Sequence, residues 1–123
     1  MAQAIHATKL DQSEGKVLGV RLQGRVTADD YAEIIPQMEQ IIDQYGALRL
    51  LLELKGIQGM TPGAIWEDLK FDARHFRDCE RMAIVGDKDW EKWLATLSKP
   101  FVSGEVRFFE FHDLREAWAW LKA

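Results

Sequence analysis

Cysteine is nearly absent from this 123-residue chain. The single one, Cys79, cannot form an internal disulfide, so the fold has no covalent staples and a reducing compartment, the cytoplasm, is the expected location. Basic excess is missing too. The formal net charge is −4, and no stripe of Lys and Arg with interleaved aromatics is visible, so a nucleic-acid partner is not expected. Apolar runs stop far short of the ~20 residues needed to span a bilayer, so no transmembrane segment is expected. Met1-Ala2-Gln3-Ala4 leads straight into Ile5-His6-Ala7-Thr8, without the charged and apolar blocks of a signal peptide. Repeats, linkers and low-complexity stretches are also lacking, so residues 1–123 are expected to form one domain.

What is present is ordinary globular material. Hydrophobic residues make up 47% of the chain and charged residues 29%, enough for a self-sufficient core. Five tryptophans are a surplus that needs a place. Ile5 to Leu10 is a short strand candidate, Asp11 to Lys16 a turn-rich link, and Val17, Leu18, Val20 and Leu22 a second strand; a hairpin is the simplest connection. Tyr31, Ile34, Ile35, Met38, Ile41, Ile42 and Tyr45 recur at helical spacing and make one apolar face. Thr27 suits the N-cap, Asp29 and Asp30 the anion-favouring first turn, and Gly46 the stop. Pro36 removes an amide donor inside this helix and predicts a kink or a restart there.

Leu48 to Leu54 is nearly all apolar, as in a central strand covered on both faces. The following Lys55 to Met60 reads as a loop. Thr61 as N-cap and Pro62 as first residue then open a second helix with Ile65, Leu69, Ala73 and Phe76 as its stripe. Met82 to Val85 is a buried strand stopped by Gly86. Trp90, Trp93, Leu94 and Leu97 mark a third helix ended by Pro100. Val106 to Phe111 is a last strand, and Asp113 with Glu116 predicts a capping box for a terminal helix carrying Leu114, Ala117, Trp118 and Leu121. The order β-β-α-β-α-β-α-β-α predicts an α/β fold, with a single small, mostly parallel sheet flanked by helices.

In such sheets ligands and partners gather at the carboxyl ends of the strands. The expected working surface is therefore Gly56, Met60, Thr61, Gly63 and Trp66 at one strand-to-helix junction, with Asp87 and Lys88 at the next. Gly56 and Gly59 would allow close approach to helix-terminal amides, yet no phosphate-loop pattern is present, and Glu67 and Asp68 make that first turn acidic. Trp66 beside Met60 would supply apolar contact area, whereas Trp93 and Trp118 belong to helix stripes and are expected in the core.

Signals for catalysis are weak. Ser13, Ser98 and Ser103 have no elbow motif, and Cys79, four residues after His75, reads as a small buried side chain. Glu53, alone in an apolar strand, is expected to pair with Lys55, Arg49 or a loop amide. Asp68, Asp72 and His75 share one helix side, but ligand clustering is the test of a metal site and no second imidazole lies near in sequence. No catalytic residue, metal or cofactor is expected.

Several stretches together resemble the SpoIIAA-like family: Gly24-Arg25-Val26-Thr27-Ala28-Asp29-Asp30-Tyr31, Leu51-Leu52-Glu53-Leu54, Thr61-Pro62-Gly63-Ala64-Ile65-Trp66-Glu67-Asp68-Leu69-Lys70-Phe71, Val85-Gly86-Asp87-Lys88 and Trp118-Ala119-Trp120-Leu121. The resemblance implies a STAS-type fold, shared with anti-sigma-factor antagonists and sulfate-transporter tail domains and related to CRAL-TRIO lipid-transfer domains. It implies a non-enzymatic regulatory or protein-interaction module, with an apolar small molecule or lipid as the alternative ligand and a homodimer left open. In the antagonists a kinase phosphorylates a serine at the start of the helix after the central strand. Laid without gaps on this chain, that serine falls on Gly63. The resemblance therefore does not carry the phosphorylation switch over, and Thr61, the nearby hydroxyl, reads as a helix cap.

Overall fold

The computed structural model describes residues 7–10, 13–61, 63, 67, 78–86 and 104–123, with the backbone alone at 7–8 and 55–60. Five strands form one sheet in chain order: β1 (Ala7–Lys9), β2 (Val17–Val26), β3 (Leu48–Met60), β4 (Cys79–Val85) and β5 (Glu105–Phe109). β1 runs antiparallel to β2, as the hairpin reading expects, and every later pair is parallel. The described helices are α1 (Ala28–Tyr45), α2 (Leu114–Lys122) and a 3-10 turn at Phe111–Asp113, with further helical backbone at Gly63 and Glu67. The second and third helices of the sequence reading otherwise lie outside the described residues, as do Trp90 and Trp93.

Strand periodicity divides the core into two layers. Leu18, Val20 and Leu22 of β2, Leu50 and Leu54 of β3, Met82 and Ile84 of β4, and Val106 of β5 pack with Tyr31, Ile34, Ile35 and Met38 of α1. Val17, Leu51, Ala83 and Val85 face the other way and pack with Ala117, Trp118 and Leu121 of α2. Trp118 is core, as expected. Its ring lies so close over Gly19 that a Cβ there would sit 2.3 Å from a ring carbon.

α1 starts as its sequence implies. The Asp30 carboxylate accepts a hydrogen bond from the Thr27 backbone N–H at 2.7 Å and another from the Thr27 hydroxyl at 3.1 Å. Gly46, at φ 76°, ends the helix in the left-handed region and donates its N–H to Ile42. Contrary to the expected break, α1 runs through Pro36 as one helix. Pro36 and Ala32, whose carbonyl would have received the missing bond, are both exposed, so water can serve that oxygen. The apolar stripe continues on both sides and holds the two halves on one surface.

Two boundaries differ from the sequence reading. β3 does not end at Leu54 but continues to Met60, so Gly56 to Met60 is strand and not loop. The extension pairs with β2 across irregularities. Leu22 pairs with Leu54, but Gly24 pairs with Ile57 and Arg25 with Gly59, so β3 carries an extra residue at each step. Gly24, on the β2 side of both steps, has φ 66°, in the left-handed region that glycine adopts without steric cost. The capping box at Asp113 is not formed. Asp113 has ψ 16° and makes no side-chain cap, because the 3-10 turn supplies its own closure through the Asp113 N–H to the Glu110 carbonyl at 2.9 Å. Phe111, expected in the last strand, belongs to that turn.

Candidate functional site

The parallel strands end together, which brings their exits to one edge. Val26 and Met60 are paired, and the Thr61 N–H donates to the Val26 carbonyl at 2.9 Å. The residues after β3 therefore sit beside the start of α1. A Cβ on Gly63 would lie 3.4 Å from the Ala28 Cβ and 3.9 Å from the Thr61 hydroxyl oxygen. Thr61 is half-buried and the helical Gly63 is exposed. Two chain segments thus turn into helix side by side, one at Thr27 and one after Thr61. Of the seven residues expected at the working surface, Thr61 and Gly63 are placed at the edge, and Gly56 and Met60 lie in the last stretch of β3. Trp66, Asp87 and Lys88 fall outside the described residues.

Among the described residues, charged groups collect in three places. On the α2 side of the sheet, near the carboxyl edge, Glu53 is 3% exposed and its carboxylate pairs with Arg21 Nε at 3.0 Å. Cross-strand register explains the choice: Arg21 and Glu53 are direct partners in β2 and β3. Arg49, one of the partners the sequence suggests, is engaged elsewhere.

At the opposite, amino edge, Arg49 binds Glu80 at 2.9 Å and donates to the carbonyls of Leu121 and Ala123. Arg81 donates to the Trp120 carbonyl. The Trp120 carbonyl also accepts the Ala123 N–H at 3.4 Å; all three oxygens lie at the carboxyl end of α2, where the negative end of the helix dipole favours the two guanidiniums. Lys16 also binds Glu80, at 2.8 Å. Hydrogen bonds from Lys16 and then Arg49 hold the Glu80 carboxyl below the usual glutamate range. This group of residues fastens α2 to the sheet.

The third cluster lies where β5 gives way to α2. His112 Nε2 is 3.5 Å from a Glu110 carboxylate oxygen and 3.4 Å from an Asp113 oxygen. The three ligand-type atoms lie within 4.8 Å of one another. The sequence reading assigns Asp113 to a capping box and does not connect it with His112 and Glu110. The usable signal was Glu-Phe-His-Asp at the end of a strand, where a tight turn brings residues three apart to one side. The candidate set Asp68, Asp72 and His75 lies outside the described residues. Cys79 opens β4 in the core, buried and not in a disulfide.

A groove of about 310 Å³ lies away from this edge, between the β1–β2 hairpin and the end of α1. Lys9, Ser13, Glu14, Gln37, Gln40 and Gln44 supply most of its polar lining, with Tyr45 at the rim. No described helix is long and apolar enough to cross a membrane.

Comparison with known proteins agrees with this geometry. A family model described as SpoIIAA-like matches residues 17–122. Among solved structures, an uncharacterized protein of the DUF3478 family from Shewanella loihica PV-4, with a SpoIIAA-like fold, is 27% identical over 98% of both chains at a TM-score of 0.74. The anti-sigma factor antagonist SpoIIAA in its unphosphorylated form superposes with a TM-score of 0.64 over 95% of this chain and 98% of its own, at 11% identity, a likeness of fold alone. No curated protein matches the chain.

Proposed function

Because this chain belongs to the SpoIIAA-like family, whose model spans residues 17–122, we propose that it is a non-enzymatic regulatory or protein-interaction module acting through the carboxyl edge of its sheet. The observation that carries this reading is the junction after β3. The Thr61 N–H is tied to the Val26 carbonyl, and Gly63 lies against Ala28, so two helix starts share one exposed edge. One structural neighbour is by name an anti-sigma factor antagonist. In this chain Gly63 offers no hydroxyl to a kinase, so partner release works without phosphorylation at that position. The alternative, an apolar small molecule or lipid, needs an apolar pocket. The groove beside α1 is lined mainly by polar side chains and does not favour it.

Two measurements test the proposal. Native mass spectrometry of protein purified from its own host should show a bound protein partner or a homodimer; a co-purifying lipid would favour the alternative. Trp66→Ala should then weaken partner binding more than it lowers stability. If Trp66→Ala unfolds the protein as badly as Trp118→Ala, Trp66 is core and the proposed surface loses its apolar anchor.

A further inference from the structure

We propose that Glu110, His112 and Asp113 form a binding site for a divalent metal ion of the zinc class. The donor set is one imidazole nitrogen and two carboxylates, which suits zinc and its transition-metal neighbours. The spacing suits it as well. At metal–ligand distances of about 2.1 Å, a tetrahedral site has ligand atoms about 3.4 Å apart. His112 Nε2 stands 3.4 and 3.5 Å from its two carboxylate oxygens. All three ligand-type atoms lie within 4.8 Å of one another, close enough to share one ion.

The turn presents the three residues together. The Asp113 N–H closes the turn onto the Glu110 carbonyl at 2.9 Å, which brings these two residues together, and the His112 imidazole reaches both carboxylates. Phe111 and Leu114 pack against the buried cluster around Trp118 and fix the turn's other side. The β5 end of the turn is tied to the sheet by the Gly86 N–H, which donates to the Phe109 carbonyl at 3.0 Å. His112 remains 72% exposed at the side chain, so an ion can enter and the fourth position is open to water or to a partner's side chain. The site lies on the same edge of the sheet as Thr61, two strands away.

The test uses the full chain without a polyhistidine tag, stripped with chelator and titrated with zinc ions. Calorimetry should show one ion per chain, and amide and imidazole NMR shifts should centre on Phe109 to Leu114. His112→Ala should weaken binding at least about tenfold, the lower end of what outer-sphere substitutions alone cost. Glu110→Gln and Asp113→Asn, both nearly isosteric, should each weaken it while circular dichroism and melting stay unchanged. Magnesium ions should produce no such shifts, since they demand an octahedral oxygen shell. Binding undiminished in His112→Ala overturns the site. So do shifts centred on Cys79 or on Asp68, Asp72 and His75, identical shifts with magnesium, or no saturable zinc binding.

Discussion

The two faces of the sheet are built on different plans. Under the 18-residue α1, burial is spread over many aliphatic side chains from four strands, none of which dominates. Under the nine-residue α2 the buried cluster is smaller, with Leu51, Val85 and Leu121 around the Trp118 indole, and guanidiniums supplement it. Trp118 lies on Gly19, Arg81 and Arg107 approach the Trp120 ring at 5.4 and 5.0 Å, and Arg49 and Arg81 hold the helix's last carbonyls. A short helix has little apolar area to bury, so its docking energy must come from few contacts. Single substitutions should therefore do more damage on the α2 face.

The sharpest break of that comparison is at Trp118. Trp118→Ala should cost ~3–5 kcal/mol, against ~0.5–1.5 kcal/mol for Ile35→Val on the α1 face, both by chemical denaturation. Gly19→Ala should also destabilise, because its Cβ would meet the indole. Adding Trp118→Leu to Gly19→Ala should then cost less than it does alone, since the two residues share one contact. Strict additivity would mean that the ring does not rest on Gly19.

Arg49→Met comes next. It removes the pairing with Glu80 and two bonds to helix carbonyls, and should cost ~1.5–3 kcal/mol. Hydrogen exchange should show α2 fraying from its last turn while α1 keeps its protection. Equal loss of protection in both helices would erase the distinction between the faces.

These plans were unequally legible in the sequence. The α1 face announces itself through the spacing of Tyr31, Ile34, Ile35 and Met38 and through the apolar run Leu48 to Leu54, because aliphatic burial leaves a periodic trace. Trp118 was legible for the same reason. The anchoring of α2 left no trace, since Arg49 reaches a carbonyl 72 residues away. The extension of β3 to Met60 was hidden because irregular pairing around Gly24 breaks the period of two on which strand recognition relies. At the candidate site the junction at Thr61 was visible through cap chemistry, whereas Glu110, His112 and Asp113 form a cluster only once the 3-10 turn brings them together.

Thr61 tests the carboxyl edge, which the α1 face supports through Val26. The sequence reading makes Thr61 the N-cap of the helix that follows, so Thr61→Ala should cost about 1 kcal/mol, with Thr61→Ser and Thr61→Asp nearly neutral in the same denaturant melts. Equal losses from alanine and aspartate would point to a steric or binding role in place of capping.

The smallest expected effect is the pH dependence of the amino-edge network under α2. Lys16 and Arg49 lower the pKa of Glu80 in the folded protein. A depressed carboxylate stabilises the fold fully above its unfolded value, about 4.3 for glutamate, and that contribution is lost as pH falls through the lower folded value. The Glu80 side chain is 40% exposed, so screening by water limits the gain to a few tenths of a kcal/mol, at most about 1. Glu80→Gln should therefore be slightly less stable than the parent at neutral pH. The gap should narrow below about pH 4.3 and close once Glu80 is protonated in the folded state. High salt should shrink the neutral-pH gap, because the Lys16 contact is exposed. A gap that persists unchanged into acid would mean that Glu80 acts through packing and not through charge, and the α2 anchor would then rest on the arginine–carbonyl bonds alone.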